Sequence, residues 1–324
     1  MPTHPVPMLC TLIATPFDHP DWIFETKFDG LRILARYDGA SLNLLSRNGK
    51  SQNKQFPDII KSLQTRLTSP CIVDGEIVCL DAQGRTSFRS LQQRFHLQDA
   101  REIEFRMKRF PAYIYLFDLL YLERYDVTQL PLEERKKLLR QAVRWTDRVR
   151  WTDYQAEKGT ALWQQACRKG GEGIIGKQRK SPYIFGRSPH WVKIKCIGRQ
   201  EFVIGGFTDP QRSRAGFGAL LLGYYDQGGQ RLSYAGKVGT GFSQKTLHDL
   251  RQRLDKLKQD RPPFDEGEPP RGNQVHWVRP QLVAEIAFAE WTRDGRLRQP
   301  RFQGLRIDKD PRECRREKPA DSDR

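Results

Sequence analysis

The stretch ETKFDGLR, residues 25–32, decides how the rest of this 324-residue chain is interpreted. Lys27 and Asp29 lie at the end of a predicted strand, followed by Gly30 and then by the cation Arg32. A lysine side chain has a pKa of about 10.4 in water and becomes a nucleophile only where burial, a cation or a metal lowers that pKa. Arg32 is a candidate for such a cation. A surface turn accommodates the same spacing, so these residues alone leave both interpretations open.

The charge of the chain indicates what kind of partner it has. Lysine and arginine total 56 against 39 acidic residues, which gives a net charge of +17. Such an excess favours a polyanionic partner, either nucleic acid or an anionic membrane surface, although a basic surface can also simply be solvated. Because no apolar run is long enough to cross a bilayer and no signal peptide is recognisable, we expect a cytoplasmic protein without a membrane partner.

The cysteines are scattered along the sequence, without a CxxC pair or a cluster with histidine. The six are Cys10, Cys71, Cys79, Cys167, Cys196 and Cys314. This spacing argues against a structural zinc site, and free thiols in a reducing compartment are the simplest expectation.

Hydrophobic periodicity predicts mixed strands and helices over the first two hundred residues. Residues 31–37 and 41–46 alternate around Asp38-Gly39 and predict a hairpin. Apolar runs at 71–80 and 112–122 predict buried strands. Three helices are also expected: one with Phe56, Ile59, Ile60, Leu63 and Leu67 on one face, one that starts at Pro131, and one capped by Thr160 and ended by Gly170 and Gly171.

Beyond residue 198 the pattern changes to short strand-like runs interrupted by glycine and proline. Ser243 is expected to cap a helix whose apolar face carries leucines at 3-4-3 spacing. After a loop at 259–273, two further strands are expected at 275–279 and 282–291. Strands, one helix and further strands predict a small barrel of the oligonucleotide-binding (OB) type. The charged tail from Pro311 is expected to be disordered.

Two patterns have a chemical reason of their own. Glu76 lies in an apolar run, where a carboxylate is costly to bury unless it is paired or bound to a metal. Lys193 and Lys195 are two residues apart, so a strand places both on one face, where two ammonium groups can meet a phosphate. Each pattern alone also suits an ordinary surface strand.

Several stretches then occur in a fixed order along the chain. They are Lys27-Phe28-Asp29-Gly30 with Arg32, Ser46-Arg47-Asn48-Gly49, Asp74-Gly75-Glu76, residues 115–120 with Phe117-Asp118, Glu172-Gly173-Ile174-Ile175, residues 191–195, residues 217–223, residues 236–241 and residues 291–309. In this order the chain resembles the ATP-dependent DNA ligases of the covalent nucleotidyltransferase superfamily, and especially the ligase module of bacterial end-joining ligases. The resemblance covers about residues 7–310.

The resemblance implies an α+β fold. A nucleotidyltransferase, or adenylation, domain of antiparallel sheets with flanking helices is expected over residues 1–197. A small OB-fold β-barrel domain is expected over 198–310, followed by the tail at 311–324.

The resemblance also implies a role for each motif residue. Lys27 would be the catalytic nucleophile that carries AMP. Glu76 and Glu172 would hold Mg²⁺ or Mn²⁺, and Phe117 would stack on adenine. The remaining nucleotide-binding residues would be Glu25, Arg32, Arg47, Glu76, Arg187, Lys193 and Lys195 in the first domain, and Arg306, Asp308 and Lys309 in the second. The last three are expected to orient the outer phosphates of ATP when the barrel closes over the nucleotide.

The implied substrates are ATP and nicked or broken duplex DNA, with a Ku-like end-bridging protein as an expected partner. We expect a monomer that is associated with the nucleoid if the source is bacterial. An RNA ligase, a capping guanylyltransferase and a non-catalytic DNA-binding protein are the alternatives, and the last predicts a degenerate site. Whether the chain acts alone or within a longer protein stays open.

Overall fold

The computed structural model of the chain describes residues 2, 5–95, 97–196, 198–210, 215–292 and 294–317. The chain divides into two compact units. The first unit ends at Cys196, and the second runs from Ile197 to Glu317. None of the helices in the described ranges is long and apolar enough to cross a membrane.

The first unit contains most of the helices. In chain order its elements are β1 (Met8–Leu12), β2 (Asp18–Thr26), β3 (Leu31–Tyr37), β4 (Leu42–Ser46), α1 (Pro57–Gln64), β5 (Cys71–Cys79), α2 (Phe88–Leu91), a 3₁₀ turn (Gln92–Arg94), α3 (Ala100–Arg109), β6 (Ala112–Leu122), β7 (Tyr125–Asp126), α4 (Leu132–Ala142), β8 (Val149–Trp151), β9 (Tyr154–Lys158), α5 (Gly159–Arg168), β10 (Gly173–Gln178) and β11 (Gly186–Lys195).

The second unit is mainly β-structure. Its elements are β12 (Gly198–Thr208), β13 (Leu220–Tyr225), β14 (Leu232–Val238), α6 (Gln244–Asp255), β15 (Lys258–Gln259), β16 (Val275–Phe288), β17 (Arg301–Arg306) and a 3₁₀ turn (Pro311–Glu313).

Two sheets of the first unit pack face to face. The first sheet has the order β1-β11-β10-β2-β9, in which only β1 and β11 run parallel. The second sheet has the order β4-β3-β5-β6-β7, with β8 added parallel to β6. Ile23 and Trp191 of the first sheet belong to one buried cluster with Leu34, Ile72 and Phe117 of the second. Side chains on these two inner faces therefore meet between the sheets.

The predicted hairpin is confirmed, and its turn has a local cause. Strands β3 and β4 pair antiparallel from Ile33 with Ser46 to Tyr37 with Leu42. The Asp38 carboxylate accepts hydrogen bonds from the amides of Ala40 and Ser41 at 3.0 and 2.8 Å. Aspartate side chains commonly stabilise turns in this way, which is why the sequence signal was sufficient.

The helices α1, α4 and α6 are confirmed close to their predicted positions, whereas the predicted start of α5 was wrong. Ser243 caps α6 by accepting from the amide of Thr246. Thr160 does not cap α5, which begins at Gly159. Instead, the carboxylate of Asp18 accepts from the amide of Thr160 at 2.8 Å. The cap comes from the beginning of β2, 142 residues away, so a local sequence window could not find it.

The sheet of the second unit has the order β14-β13-β12-β16-β15, with β17 on β16. A partner strand explains why the two strands expected at 275–279 and 282–291 are one element, β16. Strand β12 pairs with it on both sides of an irregularity, from Gly206 with Trp277 to Ile204 with Leu282. The inner face is apolar and packs against Leu247, Leu250 and Leu254 of α6.

The tail was expected to be disordered from Pro311, and for residues 311–317 this was wrong. Cys314 is 3% exposed, and the backbone of Arg315 forms an isolated parallel β-bridge with Tyr225 of β13. The side chain of Gln200 donates to the carbonyl of Arg315 at 3.0 Å and accepts from the amide of Glu317 at 3.0 Å. These contacts join the charged tail to β12 and β13. Residues 318–324 lie outside the described ranges.

The expectation of six free thiols was also wrong, because Cys167 and Cys196 form a disulfide. Cys167 lies in the last turn of α5, and Cys196 directly follows β11, so helix packing on the first sheet brings their Cα atoms to 5.2 Å. A separation of 29 residues without a CxxC pattern gave no sequence signal for this pairing. Cys10, Cys71, Cys79 and Cys314 are free.

Candidate active site

The register of the first sheet brings the motif residues of β2, β10 and β11 into rows. Glu25 lies opposite Ile175, and Ile175 lies opposite Lys193. In the next row, Gly173 lies opposite Lys195, and its carbonyl accepts the amide of Lys27 at 3.0 Å. Directly opposite residues project from the same face of a sheet. Glu25, Lys27, Lys193 and Lys195 therefore share one face.

That shared face is the inner one. The alternate residues Phe24, Ile174 and Ile194 form a separate buried cluster, against which Leu162 and Trp163 of α5 pack. With the outer face covered by α5, the functional side chains point toward the second sheet. The sequence placed these residues in order, and the sheet register brings them together.

Lys27 is paired with Glu172, which immediately precedes β10. The Nζ atom of Lys27 forms a hydrogen-bonded ion pair with Oε1 of Glu172. The Lys27 side chain is 20% exposed and that of Glu172 is 6% exposed. The Glu172 carbonyl accepts the amide of Cys196 at 3.1 Å, which fixes its backbone to the end of β11. A partly buried amine held by a carboxylate can be aimed at an electrophile that enters between the sheets.

Gly30 permits a close approach of the two sides of the site. A Cβ atom at this position would lie 2.4 Å from the carbonyl oxygen of Ile77 and 2.8 Å from Cγ of Glu76. Any side chain here would displace the backbone of β5. The glycine therefore keeps Glu76 beside the turn that follows Lys27.

Glu25 lies in a buried cluster that the sequence reasoning missed. Its Oε1 is 2.6 Å from Nζ of Lys136 on α4, and its Oε2 is 2.7 Å from Nζ of Lys177 on β10. Burial lowers the pKa of Lys177, Glu25 opposes that shift, and Lys136 adds to it. One signal was available, because Lys177 lies two residues beyond Ile175 and so shares its face of β10.

Phe117 lies on the second sheet and faces the first. It is 8% exposed, and its ring packs edge to face on Trp191 with centroids 6.2 Å apart. The ammonium of Lys177 lies 4.3 Å from its ring centroid. The structure thus places the aromatic ring that the sequence predicted beside the cluster around Glu25.

Arg32 was expected to act as a cation beside Lys27, but its guanidinium is engaged by Asp74. The Nε–Oδ1 distance is 3.0 Å and the Nη2–Oδ2 distance is 2.6 Å, while Tyr183 also donates to Asp74 at 2.6 Å. Burial alone would lower the pKa of Arg32, but Asp74 raises it well above its usual value. Arg32 therefore stays charged and joins β3 to β5.

Two further arginines lie at strand ends. Arg47 is partly buried directly after β4. Arg187 is exposed near the start of β11, and its Nη1 donates to the carbonyl of Cys10 at 2.5 Å. Since Lys193 and Lys195 lie at the opposite end of the same strand, β11 does not bring Arg187 to them.

In the second unit, the predicted triphosphate residues form their own ion-pair network. Arg306 binds Asp308 through Nε and Nη2 at 2.9 and 2.7 Å, and Nζ of Lys309 is 3.3 Å from Oε1 of Glu201. Burial alone would raise the pKa of Asp308, but Arg306 and Lys309 hold it below its usual value. Glu285, 3.6 Å from Arg306, is a member that the sequence reasoning missed.

The carboxylates fit a magnesium ion better than zinc. No group of three or more His, Cys, Asp or Glu side chains is placed to share a metal within the part of the chain that the structure describes. Magnesium is commonly bound through one or two carboxylates together with substrate phosphates and water. Glu76 and Glu172 are oxygen donors of that kind.

Comparison with known proteins identifies the class to which this chain belongs. Residues 7–195 match the family described as ATP dependent DNA ligase domain, and residues 213–309 match its ATP dependent DNA ligase C terminal region. The chain therefore belongs to the ATP-dependent DNA ligase family.

The similar proteins include ligases that are much longer than this chain and ligases of about the same length. The chain is 40% identical over 99% of its length to the multifunctional non-homologous end joining protein LigD of Pseudomonas aeruginosa, of which it spans only 37%. It is 30% identical over 95% of its length to DNA ligase C1 of Mycolicibacterium smegmatis, of which it spans 91%. A structure of mycobacterial DNA ligase D complexed with ATP and MES matches with a TM-score of 0.67 at 33% identity, covering 96% of this chain and 98% of that one.

Proposed function

We propose that this protein seals breaks in duplex DNA that carry a 5′-phosphate and a 3′-hydroxyl, through AMP bound covalently to Lys27. The observation that carries the proposal is the inner face of the first sheet. There Lys27, held by Glu172, shares a face with Glu25, Lys193 and Lys195. An amine, a base-recognising carboxylate and two phosphate-binding cations are the groups that lysine adenylation requires.

The reaction consists of three phosphoryl transfers. Nζ of Lys27, having lost its proton, attacks the α-phosphorus of ATP, and a phosphorus–nitrogen bond forms as pyrophosphate leaves. An oxygen of the DNA 5′-phosphate then attacks the same phosphorus and releases the lysine. Finally, the 3′-hydroxyl loses its proton, attacks the activated 5′-phosphate and releases AMP. Positioning and charge neutralisation supply most of the catalysis in such reactions.

The proposed roles of the other residues follow from their chemistry. Lys193 and Lys195 neutralise the α-phosphate, and Phe117 stacks on adenine. Arg32 is proposed to contribute to nucleotide binding through the strand that its ion pair with Asp74 holds in place. Arg187 is proposed to contact a phosphate of the nucleotide, and Arg47 a phosphate of the nucleotide or of the DNA nick. In the second unit, Arg306, Asp308 and Lys309 are proposed to act on the β- and γ-phosphates of ATP. They would therefore contribute only to the attack of Lys27 on ATP and not to the two later transfers.

Glu76 and Glu172 would hold Mg²⁺ or Mn²⁺. When bound, the metal would polarise the α-phosphate and offset its charge. Glu76 lies beside the turn after Lys27, and Glu172 holds the Lys27 amine.

End joining is the proposed cellular role. It is supported by the resemblance to LigD proteins, whose names state non-homologous end joining. We propose that the protein acts as a monomer in the cytoplasm, at the nucleoid if the source is bacterial, with a Ku-like protein that bridges the ends. Comparing the sealing of nicked and broken duplexes, with and without such a protein, tests this role.

Lys27→Ala tests the proposed chemistry one step at a time. The variant should not acquire label from ATP radiolabelled at the α-phosphate, and it should not seal nicks with ATP. It should still seal a nick that already carries AMP on its 5′-phosphate, because the last step does not use the lysine as nucleophile. Lys108→Ala, which removes a lysine that is 74% exposed, is the matched control.

A wild-type amount of label on Lys27→Ala would exclude Lys27 as the nucleophile. Labelling of the wild type by GTP in place of ATP would favour the capping alternative. Sealing of RNA nicks in place of DNA nicks would favour an RNA ligase.

A further inference from the structure

The carboxylate of Glu25 lies between two buried lysines on different elements. Glu25, Lys136 and Lys177 are each at most 3% exposed. Lys136 reaches Oε1 from α4, and Lys177 reaches Oε2 from β10. Burying a carboxylate this deeply is costly unless cations compensate its loss of hydration. The two lysines, one on each oxygen, therefore hold Glu25 in one direction.

One oxygen of this carboxylate retains the capacity to accept a hydrogen bond. Oε1 lies 2.6 Å from Nζ of Lys136 and is ion-paired with it. A carboxylate oxygen has a second lone pair, so Oε1 can also accept a hydrogen bond from a ligand beside this ion pair. Since Glu25 shares its row with Ile175 and Lys193, that ligand lies between the sheets.

Lys136 is itself held in place by aromatic rings. Its ammonium lies 4.8 Å from the centroid of Trp151 and 5.2 Å from that of Tyr154. Tyr154 on β9 lies directly opposite Glu25 on β2. Cation–π contacts of this kind are strongest where the cation is desolvated. Lys136 is thus a rigid cation that holds Oε1 in one direction.

We propose that Lys136 is a specificity-determining positioning residue, which holds Glu25 so that Oε1 accepts the 6-amino group of adenine. Adenine presents an amino donor at position 6, where guanine presents a carbonyl acceptor. A fixed carboxylate therefore favours ATP and repels a 6-oxo purine. The inference rests on the proposed placement of adenine at Glu25.

A double-mutant-type cycle tests the proposal: the Lys136 ammonium and the 6-amino group of the nucleotide are removed separately and together. The measured quantity is kcat/KM for lysyl-AMP formation, and for the corresponding adduct with purine riboside triphosphate, which lacks the amino group. Lys136→Met, which keeps an unbranched apolar stem of similar length, should lower the value for ATP about tenfold or more, since one hydrogen bond to a charged group is lost. The value for the analogue should change by less than about twofold, because no amino group is present to be lost.

Two variants serve as controls. Lys137→Met removes the neighbouring lysine on α4, which is 66% exposed and pairs with Glu134, and it should leave both values unchanged. Lys136→Arg retains the charge and should restore the preference for ATP. A thermal melt of each variant shows whether it is folded, and Lys136→Arg keeps the test available if Lys136→Met does not fold.

The outcomes show separately whether the role of Lys136, the placement of adenine at Glu25 or the proposed function is wrong. Equal losses for ATP and the analogue in Lys136→Met, or no loss for either, would overturn the proposal and leave Lys136 with a structural role at most. If Glu25→Ala, which removes the acceptor, also keeps the full preference for ATP, the placement of adenine at Glu25 is wrong. If the wild type forms no adduct on Lys27 with ATP, the proposed function itself fails.

Discussion

The Nζ atom of Lys27 and the Oε1 atom of Glu172 form an ion pair, although 145 residues separate them in the chain. The amide of Lys27 is also bonded to the carbonyl of Gly173, directly after Glu172. Backbone and side chain therefore join the end of β2 to the start of β10. The direction of the amine thus depends on the packing of the first sheet.

Replacing Glu172 should impair lysine adenylation. Glu172→Ala removes the acceptor that orients the amine, and a hydrogen bond to a charged group contributes about 1.5–3 kcal/mol, which corresponds to roughly ten- to a hundredfold in rate. Glu172→Gln, which retains an acceptor, should lose less. Single-turnover labelling from ATP measures both. Glu104→Ala, at an exposed ion pair on α3, should behave as wild type, and an equally active Glu172→Ala would contradict this role.

Asp74→Asn should destabilise the first unit. It leaves the partly buried Arg32 and the buried Tyr183 facing a neutral amide, and breaking a buried pair costs about 3–5 kcal/mol. Asp81→Asn makes the same change at the exposed pair with Arg85 and should cost less than about 1 kcal/mol. Urea unfolding curves of the two variants provide the comparison. Similar midpoints would show that the buried network contributes little.

Reduction of the disulfide should lower the stability of the first unit. Closing a loop between residues 29 apart constrains the unfolded chain, which corresponds to about 3–4 kcal/mol. Oxidised wild type should therefore melt higher than a Cys167→Ala/Cys196→Ala double variant. The same wild type treated with a reductant should lose this advantage. If reduction has no effect on the melting temperature, the two cysteines are not linked in solution.

Asp308 should make the second unit sensitive to acid. Its folded-state pKa is held below the usual value, so it contributes stability above about pH 4, and this is lost as the pH falls through the folded pKa. Wild type should exceed Asp308→Asn in stability at pH 6, and the difference should shrink below about pH 4. The exposed Asp249→Asn on α6 serves as control. A constant difference across the range would contradict the ion-pair account.

Local sequence signals predicted those elements whose causes are local. The β3–β4 turn depends on Asp38, and the start of α6 depends on Ser243, each acting within three residues. The start of α5 depends on Asp18, and the continuity of β16 depends on its pairing with β12. The ordered structure of residues 311–317 depends on Gln200. Periodicity in a short window does not contain these partners, which is why those predictions failed.

The sequence by itself determined which chemical groups the site contains. An amine at Lys27, carboxylates at Glu76 and Glu172, and cations at Lys193 and Lys195 occur in the order that the resemblance to ATP-dependent DNA ligases implies, and lysine adenylation is the chemistry proposed for them. Only the tertiary structure decided which ion pairs these groups form. Glu172 pairs with Lys27, Asp74 pairs with Arg32, and Lys136 and Lys177 pair with Glu25. The reason is physical, because buried charges must find opposite charges in space, and sheet register and packing determine which ones lie within reach.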